Sequence, residues 1–317
     1  MKKHRHKILT LTILISIATL IIHIINRIIA ASASLKEMLD ISNKNFYEWR
    51  FGNIYYTKHG KGKPILLIHD SLPGSSGYEW SRIEKQLSTQ YTVYTLDLLG
   101  FGRSEKPGVT YTNFIYVQMI CDFIKNVVGE KTDVIASGFS SSFVAMACHN
   151  EKECFGKIMM VNPPRLGALN QTPSQKDKLH KFLLELPVFG TLVYHIVISH
   201  ENIRNLFIEN LYYDPFHLDE DIIDAYYEAS HKGGCYAKYF YASYVSKYMN
   251  IGIAHALKSI DNSIYIIEGE AENNAGIILE EYKELNPAIE SSILKKTKHF
   301  PHIENAEDFL EPVSVFF

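Results

Sequence analysis

The sequence predicts an α/β protein with a mainly parallel sheet, a helical insertion and an apolar N-terminal segment. Three observations predict it. Short β-rich runs alternate with amphipathic helices from about Tyr47 onward, the pattern of strands joined by crossover helices. One run, Ile65-Leu66-Leu67-Ile68, is apolar without a break, as a strand covered on both faces must be. Between Arg165 and Asn250 the rhythm stops, and the chain reads as helices rich in Tyr and His with no convincing core strand. Composition fits an ordered globular protein: 317 residues, 46% hydrophobic and 21% charged. A net charge of −3 gives no general electrostatic reason to bind nucleic acid. Four cysteines in so long a chain do not make a disulfide scaffold, and no C-x-x-C pair suggests structural zinc.

Taken in order, residues 53–58 and 64–69 read as strands, 79–88 as a helix and 91–96 as a strand. Phe114, Val117, Ile120, Cys121, Ile124 and Val127 recur at helical spacing, and Gly129 stands where that helix needs a cap. Residues 133–137 read as a strand, 141–150 as a helix and 157–161 as a strand. After the helical stretch the pattern resumes with a strand at 264–267, a helix near 277–285, a strand at 292–296 and a last helix from Glu304. The economical organisation is an N-terminal segment (1–34), a first part of the core (45–164), a helical insertion (165–250) and a second part of the core (251–317).

At the N-terminus Lys2, Lys3, Arg5 and Lys7 precede the run 8–25, in which only Thr10, Thr12, Ser16, Thr19 and His23 are polar. Extended through residues 28–31, such a helix can cross a hydrocarbon core of about 30 Å. The charge bias, with only Arg27 and Lys36 soon after the run, keeps the N-terminus in the cytoplasm and places the rest outside. The expectation is therefore a single-pass anchor. The alternative is a signal peptide cleaved after Ala31-Ser32-Ala33, giving a secreted chain that begins near Ser34. Against cleavage, the apolar run is longer than a usual signal core, and Asn26 and Arg27 lie in the cleavage approach. A buried core helix does not suit the basic prefix.

Chemistry concentrates where the strands end. Ser137-Gly138-Phe139-Ser140-Ser141-Ser142 falls where a strand turns into a helix, which holds Ser140 over the sheet edge at the positive end of that helix. Gly138 supplies backbone room there. After the last strand comes Lys298-His299-Phe300-Pro301-His302-Ile303-Glu304, which puts His299 where a base reaches towards Ser140. After the preceding strand, Gly269-Glu270-Ala271-Glu272 puts a carboxylate on the loop where it can fix the imidazole. Serine is a poor nucleophile without such a base, and the base needs an orienting carboxylate.

These blocks resemble the α/β-hydrolase superfamily from about Tyr47 to the C-terminus. The segments that carry the resemblance also include Leu66-Leu67-Ile68-His69 with Gly74-Ser75-Ser76-Gly77-Tyr78-Glu79-Trp80, similar to the family's oxyanion-loop region. The most specific is Leu96-Asp97-Leu98-Leu99-Gly100-Phe101-Gly102-Arg103-Ser104-Glu105-Lys106-Pro107. The resemblance implies a sheet of about eight strands flanked by helices, a helical cap over 165–250 and a pocket between cap and core. It further implies Ser140 as nucleophile, His299 as base and Glu272 as acid, in the chain order Ser, acid, His. Oxyanion donors would be the backbone N–H groups of Ser71 and Ser141. The implied function is a cofactor-free serine hydrolase acting on a carboxylic ester or related acyl bond of a small molecule. Its alternatives are a catalytically impaired ligand-binding or scaffold protein, an acyltransferase, or a carbon–carbon bond hydrolase.

The sequence departs from the family pattern at three places. Asp70 stands where glycine usually follows the oxyanion-loop histidine, and an inward carboxylate there would oppose a developing oxyanion. The implied acid is Glu272 rather than the commoner aspartate, and Glu270, two residues earlier, is its rival. Lys298 replaces a small residue before His299 and could draw off Glu270 or Glu272. His69 is expected to organise the oxyanion loop and His302 to be structural or at the pocket edge. His195 and His200 are badly spaced for one helix face, so no metal site is expected.

Overall fold

The computed structural model describes residues 2–39 and 45–317. Helix α1 (Lys2–Ser32) opens the chain. Apart from the half-buried Ile22, its large apolar side chains from Ile8 to Ile28 are 41–65% exposed, so it is not a buried core helix. The segment His6–Ser32 is long and apolar enough to cross a membrane, a property shared by anchors and signal sequences. Its far end is docked on the globular part. Asn26 Nδ2 donates to Val188 O at 3.0 Å, Lys36 pairs with Asp224 at 2.5 Å, and Met38 N–H donates to Glu228 Oε2 at 2.7 Å. Leu39 is buried against Ala225 and Ala229.

The sheet has eight strands: β1 (Asn45–Trp49), β2 (Gly52–His59), β3 (Pro64–Ile68), β4 (Thr92–Leu96), β5 (Thr132–Ser137), β6 (Phe155–Val161), β7 (Ile264–Gly269) and β8 (Glu290–Leu294). Their order is β1-β2-β4-β3-β5-β6-β7-β8. The β1–β2 and β2–β4 pairs are antiparallel, and every later pair is parallel. The run at β3 shows why a central strand must be apolar throughout. Leu66 and Ile68 point into one core with α2 (Asn113–Phe123) and α3 (Ser140–Asn150); Ile65 and Leu67 point into the other, with Trp80 and Phe309. All four side chains are fully buried.

Between β6 and β7 the chain is helical, as its lost strand rhythm predicts: α4 (Gln175–Glu185), α5 (Phe189–Val197), α6 (Glu220–His231) and α7 (Ala237–Val245) are its longer elements. Tyr194, Phe207, Tyr226 and Ile223 of this layer share a core with Phe300 and Ile303, beside the His299 loop. The aromatic set thus serves largely for packing, although Tyr213, Phe216 and Tyr236 are exposed. Helices α8 (Ile277–Leu285) and α9 (Ala306–Phe316) complete the two outer layers.

Three expectations shift. The helix expected at 79–88 is a 3-10 turn (Gly77–Trp80) followed by a short helix (Glu84–Leu87), because Glu79 and Trp80 are drawn inward and fully used there. The strand expected at 292–296 lies two residues earlier. Strand β1 was invisible in the sequence because it is a mostly exposed edge strand with no apolar alternation.

The loop after β4 is locked by a buried ion pair. Asp97 accepts from Arg103 Nε, Nη2 and N at 2.7, 2.9 and 2.7 Å and from Gly77 N at 2.6 Å, so it ties the loops after β3 and β4 together. Burial alone would raise the Asp97 pKa, but Arg103 and the hydrogen bonds hold it at about 2. Its stabilisation is therefore complete above the ordinary carboxyl pKa near 3.8 and is lost as pH falls through about 2. Arg103→Ala strands the Asp97 charge and should cost about 3–5 kcal/mol in urea unfolding at pH 7. A loss below 1 kcal/mol would refute this structural role.

Candidate active site

The parallel strands bring four loops to one edge of the sheet. Strand β5 ends at Ser137, and Gly138, with φ of 51°, turns the chain directly into α3. Left-handed backbone favours glycine, and a Cβ on Gly138 would collide with the Asp70 carboxylate. Ser140 is the first residue of α3 and is fully buried. Its Oγ lies 2.7 Å from Ser71 Oγ, a hydrogen bond in which either hydroxyl donates. Ser142, two residues beyond Ser140, turns its hydroxyl onto Phe139 O at 2.7 Å.

Strand β3 delivers His69 and Asp70. The Leu98 N–H donates to His69 Nε2 at 3.0 Å, which leaves Nδ1–H to donate to Asp70 O at 2.6 Å. Burial keeps this imidazole below its ordinary pKa. Asp70 does not use left-handed backbone, so its side chain rather than its conformational tolerance decides its role. One carboxylate oxygen accepts from Ser71 N at 2.6 Å and Phe139 N at 2.8 Å. The other lies 2.8 Å from His299 Nε2.

His299 is therefore held between two carboxylates. Its Nδ1 faces Glu272 Oε2 at 3.1 Å, and its Nε2 faces Asp70 rather than Ser140. Burial would lower the imidazole pKa, but the hydrogen bonds and charges of Asp70 and Glu272 outweigh it and push it up to about 10. At neutral pH the ring is an imidazolium with both nitrogens donating. His299 is thus bonded directly to Glu272, whereas Ser140 connects to it only through Ser71 and Asp70: Ser140 Oγ pairs with Ser71 Oγ, and the Asp70 carboxylate bonds both Ser71 N and His299 Nε2.

The remaining candidates sort cleanly. Glu270 accepts from Lys296 N at 3.0 Å and does not face the histidine. Lys298 sends its ammonium to Glu209 O at 2.9 Å, so it draws off neither acid. The Ser71 amide is occupied by Asp70, and the Ser141 amide makes a 3.2 Å turn bond to Gly138 O. His302 is fully buried, stacked on Trp80 at 4.3 Å and paired with Glu79 at 3.2 Å, a structural residue. No cluster of three potential metal ligands occurs among the described residues.

Two supporting residues went unread in the sequence. Asn162, after β6 and at φ 44°, donates to both Lys298 O and His299 O at 2.8 Å and accepts from Gly269 N at 2.9 Å. It clamps the acid loop to the histidine loop. Glu79 accepts from Asp70 N at 3.0 Å and so fixes the approach of the blocking carboxylate. Left-handed Asn after a strand is the signal that could have found the first; Glu79 carried none.

The sequence matches the alpha/beta hydrolase family over residues 65–311. The chain belongs to that family. Among curated proteins it is similar to the 2-hydroxy-6-oxo-6-(2'-aminophenyl)hexa-2,4-dienoic acid hydrolase of Metapseudomonas resinovorans, 34% identical over 95 residues, which is 28% of this chain and 33% of that one. It is also similar to the soluble epoxide hydrolase of Corynebacterium sp. (strain C12), 25% identical over 109 residues, 34% of this chain and 37% of that one. The chain thus matches only about a third of the length of these relatives. Among solved structures, a serine hydrolase involved in carbazole degradation superposes with a TM-score of 0.71 at 17% identity, covering 86% of this chain and 98% of the other. The epoxide hydrolase CorEH gives a TM-score of 0.71 at 18% identity, with 87% and 98% covered. At these identities the structural likeness speaks for the fold.

The contact between Gly138 and Asp70 is directly testable. Gly138→Ala should destabilise by about 1–3 kcal/mol through strained backbone and collision with the carboxylate. In an Asp70→Gly background the collision is gone, and the cost should shrink by a coupling of about 1 kcal/mol or more in a double-mutant cycle. Additive costs would mean that the two residues do not share this space.

Proposed function

We propose that this alpha/beta hydrolase cleaves an acyl bond, a carboxylic ester or a close relative, through Ser140 as nucleophile, His299 as base and Glu272 as orienting acid, with 165–250 as a cap over the site. The observation that carries it is the convergence of Ser140, at the start of α3, with a Glu272-bound His299 on one edge of the sheet. Ser140 Oγ would attack the acyl carbon while its proton passes to His299 Nε2, and the alcohol leaves with that proton. Water would then release the acyl group by the reverse path. In the resting arrangement His299 Nε2 already carries a proton directed at Asp70, and Asp70 occupies the Ser71 amide. Turnover thus needs the imidazole neutral and the carboxylate displaced.

The Asp70–His299 link favours one second reading, a pocket that binds its ligand without turnover. The similarity to the 2-hydroxy-6-oxo-6-(2'-aminophenyl)hexa-2,4-dienoic acid hydrolase makes carbon–carbon cleavage the rival chemistry for the same residues. For location, the supported reading is a single-pass anchor with an extracytoplasmic catalytic part. The docking of Asn26 on Val188 supports retention of α1, and the basic residues before α1 support the orientation.

Labelling by a fluorophosphonate probe tests this. Wild-type protein should label slowly at pH 7 and faster as pH rises towards 10, the direction set by the raised His299 pKa. Asp70→Asn removes one of the two charges holding the proton and should speed labelling at pH 7 on the order of 10²-fold. Ser140→Ala and His299→Ala should not label. A folded wild type and Asp70→Asn that both stay unlabelled up to pH 10 would move the assignment to the binding protein.

A further inference from the structure

A second cleft, of about 680 Å³, opens between the end of α1 and the cap. Ser140, His299 and Asp70 take no part in its lining. Asn26 and Arg27 of α1 form one wall, and His195 of α5, His231, Lys232 and Lys238 form the other. Its polar groups are incompletely satisfied. Neither ring nitrogen of His195 has a hydrogen-bond partner among the described residues, nor has Nε2 of His231 or Oδ1 of Asn26. All three side chains are at least nine-tenths buried. Groups so placed carry a standing penalty that a ligand would remove.

Their chemistry specifies the ligand. His195 and His231 stack with ring centroids 4.9 Å apart and planes within 10°, so they present parallel edges rather than a chelating pair. Burial holds both imidazoles below their ordinary pKa, so each is neutral: His195 offers one donor and one acceptor, whereas His231 spends its Nδ1–H on Tyr227 O at 2.8 Å and offers Nε2 as an acceptor. Arg27, Lys232 and Lys238 supply positive charge. Lys232 is paired with Glu228 at 3.2 Å and Lys238 donates to Leu186 O at 2.7 Å, whereas Arg27 has no ion pair among the described residues. Arginine and lysine beside neutral donors suit a phosphate; Asn26 Oδ1 and the imidazole acceptors require hydroxyl donors on the same ligand. The cleft also lies at the end of α1, the helix long and apolar enough to cross a membrane, so a lipid held by that membrane is within reach of it.

We propose that this cleft binds the headgroup of an anionic phospholipid, a phosphodiester bearing free hydroxyls, drawn from the membrane in which α1 lies. This rests on the retention of α1 and not on the serine chemistry. The ligand would wedge between anchor and cap and fix how the globular part stands on the bilayer.

The test uses the full chain in a neutral maltoside detergent, with thermal unfolding followed during titration by short-chain phosphatidylglycerol or phosphatidylcholine. Phosphatidylglycerol should raise Tm saturably, with apparent affinity about tenfold above that of phosphatidylcholine. Arg27→Ala, an exposed change that should not disturb folding, and His195→Leu should each weaken the effect by about tenfold. Equal shifts for both lipids, no shift, or unchanged shifts in a folded Arg27→Ala would overturn the proposal. The same shift from inorganic phosphate alone would assign the site to a free anion and overturn the lipid. A mature N-terminus near Ser34 would do so as well, because Asn26 and Arg27 would be gone. None of these outcomes bears on labelling of Ser140.

Discussion

The site depends on one imidazole held between two carboxylates. Glu272 bonds one ring nitrogen of His299, and Asp70, whose other carboxylate oxygen bonds the Ser71 amide, bonds the second. Opposite charges in a water-poor setting stabilise the imidazolium strongly, which is why its pKa rises despite burial. The sign of the linkage follows. A raised folded pKa stabilises the protein fully below the ordinary histidine pKa near 6.5, and the contribution is lost as pH rises through about 10. The same charge that favours the fold would, in the proposed mechanism, withhold His299 from Ser140.

The rest of the sheet edge is organised to hold that arrangement. Asn162 joins the loops that carry Glu272 and His299, Glu79 anchors the backbone of Asp70, and the Asp97–Arg103 pair locks the neighbouring turn at Gly77. Gly138 yields the volume that the Asp70 carboxylate fills. The elbow glycine and the aspartate therefore form a matched pair, one residue small because the other reaches in. The carboxylate seated on the Ser71 and Phe139 amides is an internal anion, and under the proposed mechanism it would have to yield the Ser71 amide to an acyl oxyanion.

Much of this was legible in the sequence, for physical reasons. Strands such as β3 and β5 are covered on both faces and so leave unbroken apolar runs, and a serine between strand and helix can be placed by its glycine alone. The helix over Ile277–Leu285 follows from its periodicity. The family resemblance pointed to Glu272 over Glu270, and it is Glu272 that meets the ring of His299 while Glu270 accepts from Lys296 N. The direction of the Asp70 side chain was not legible, because it is set by contacts from β5 and from the distant His299 loop. The same holds for Asn162 and for the α1 cleft, whose residues are far apart in sequence and acquire meaning only when folded. Edge strand β1 escaped because exposure erases the apolar pattern that reveals a strand.

The most direct measurement is the protonation state of His299 in the full chain, by ¹⁵N NMR of histidine-labelled protein in detergent with His299→Gln to assign the resonance. The account predicts that both ring nitrogens carry protons at pH 7.5 and that the charge is lost only towards pH 10. A ring already neutral at pH 7.5, titrating near 6.5, would show that Asp70 does not hold it and would contradict the account.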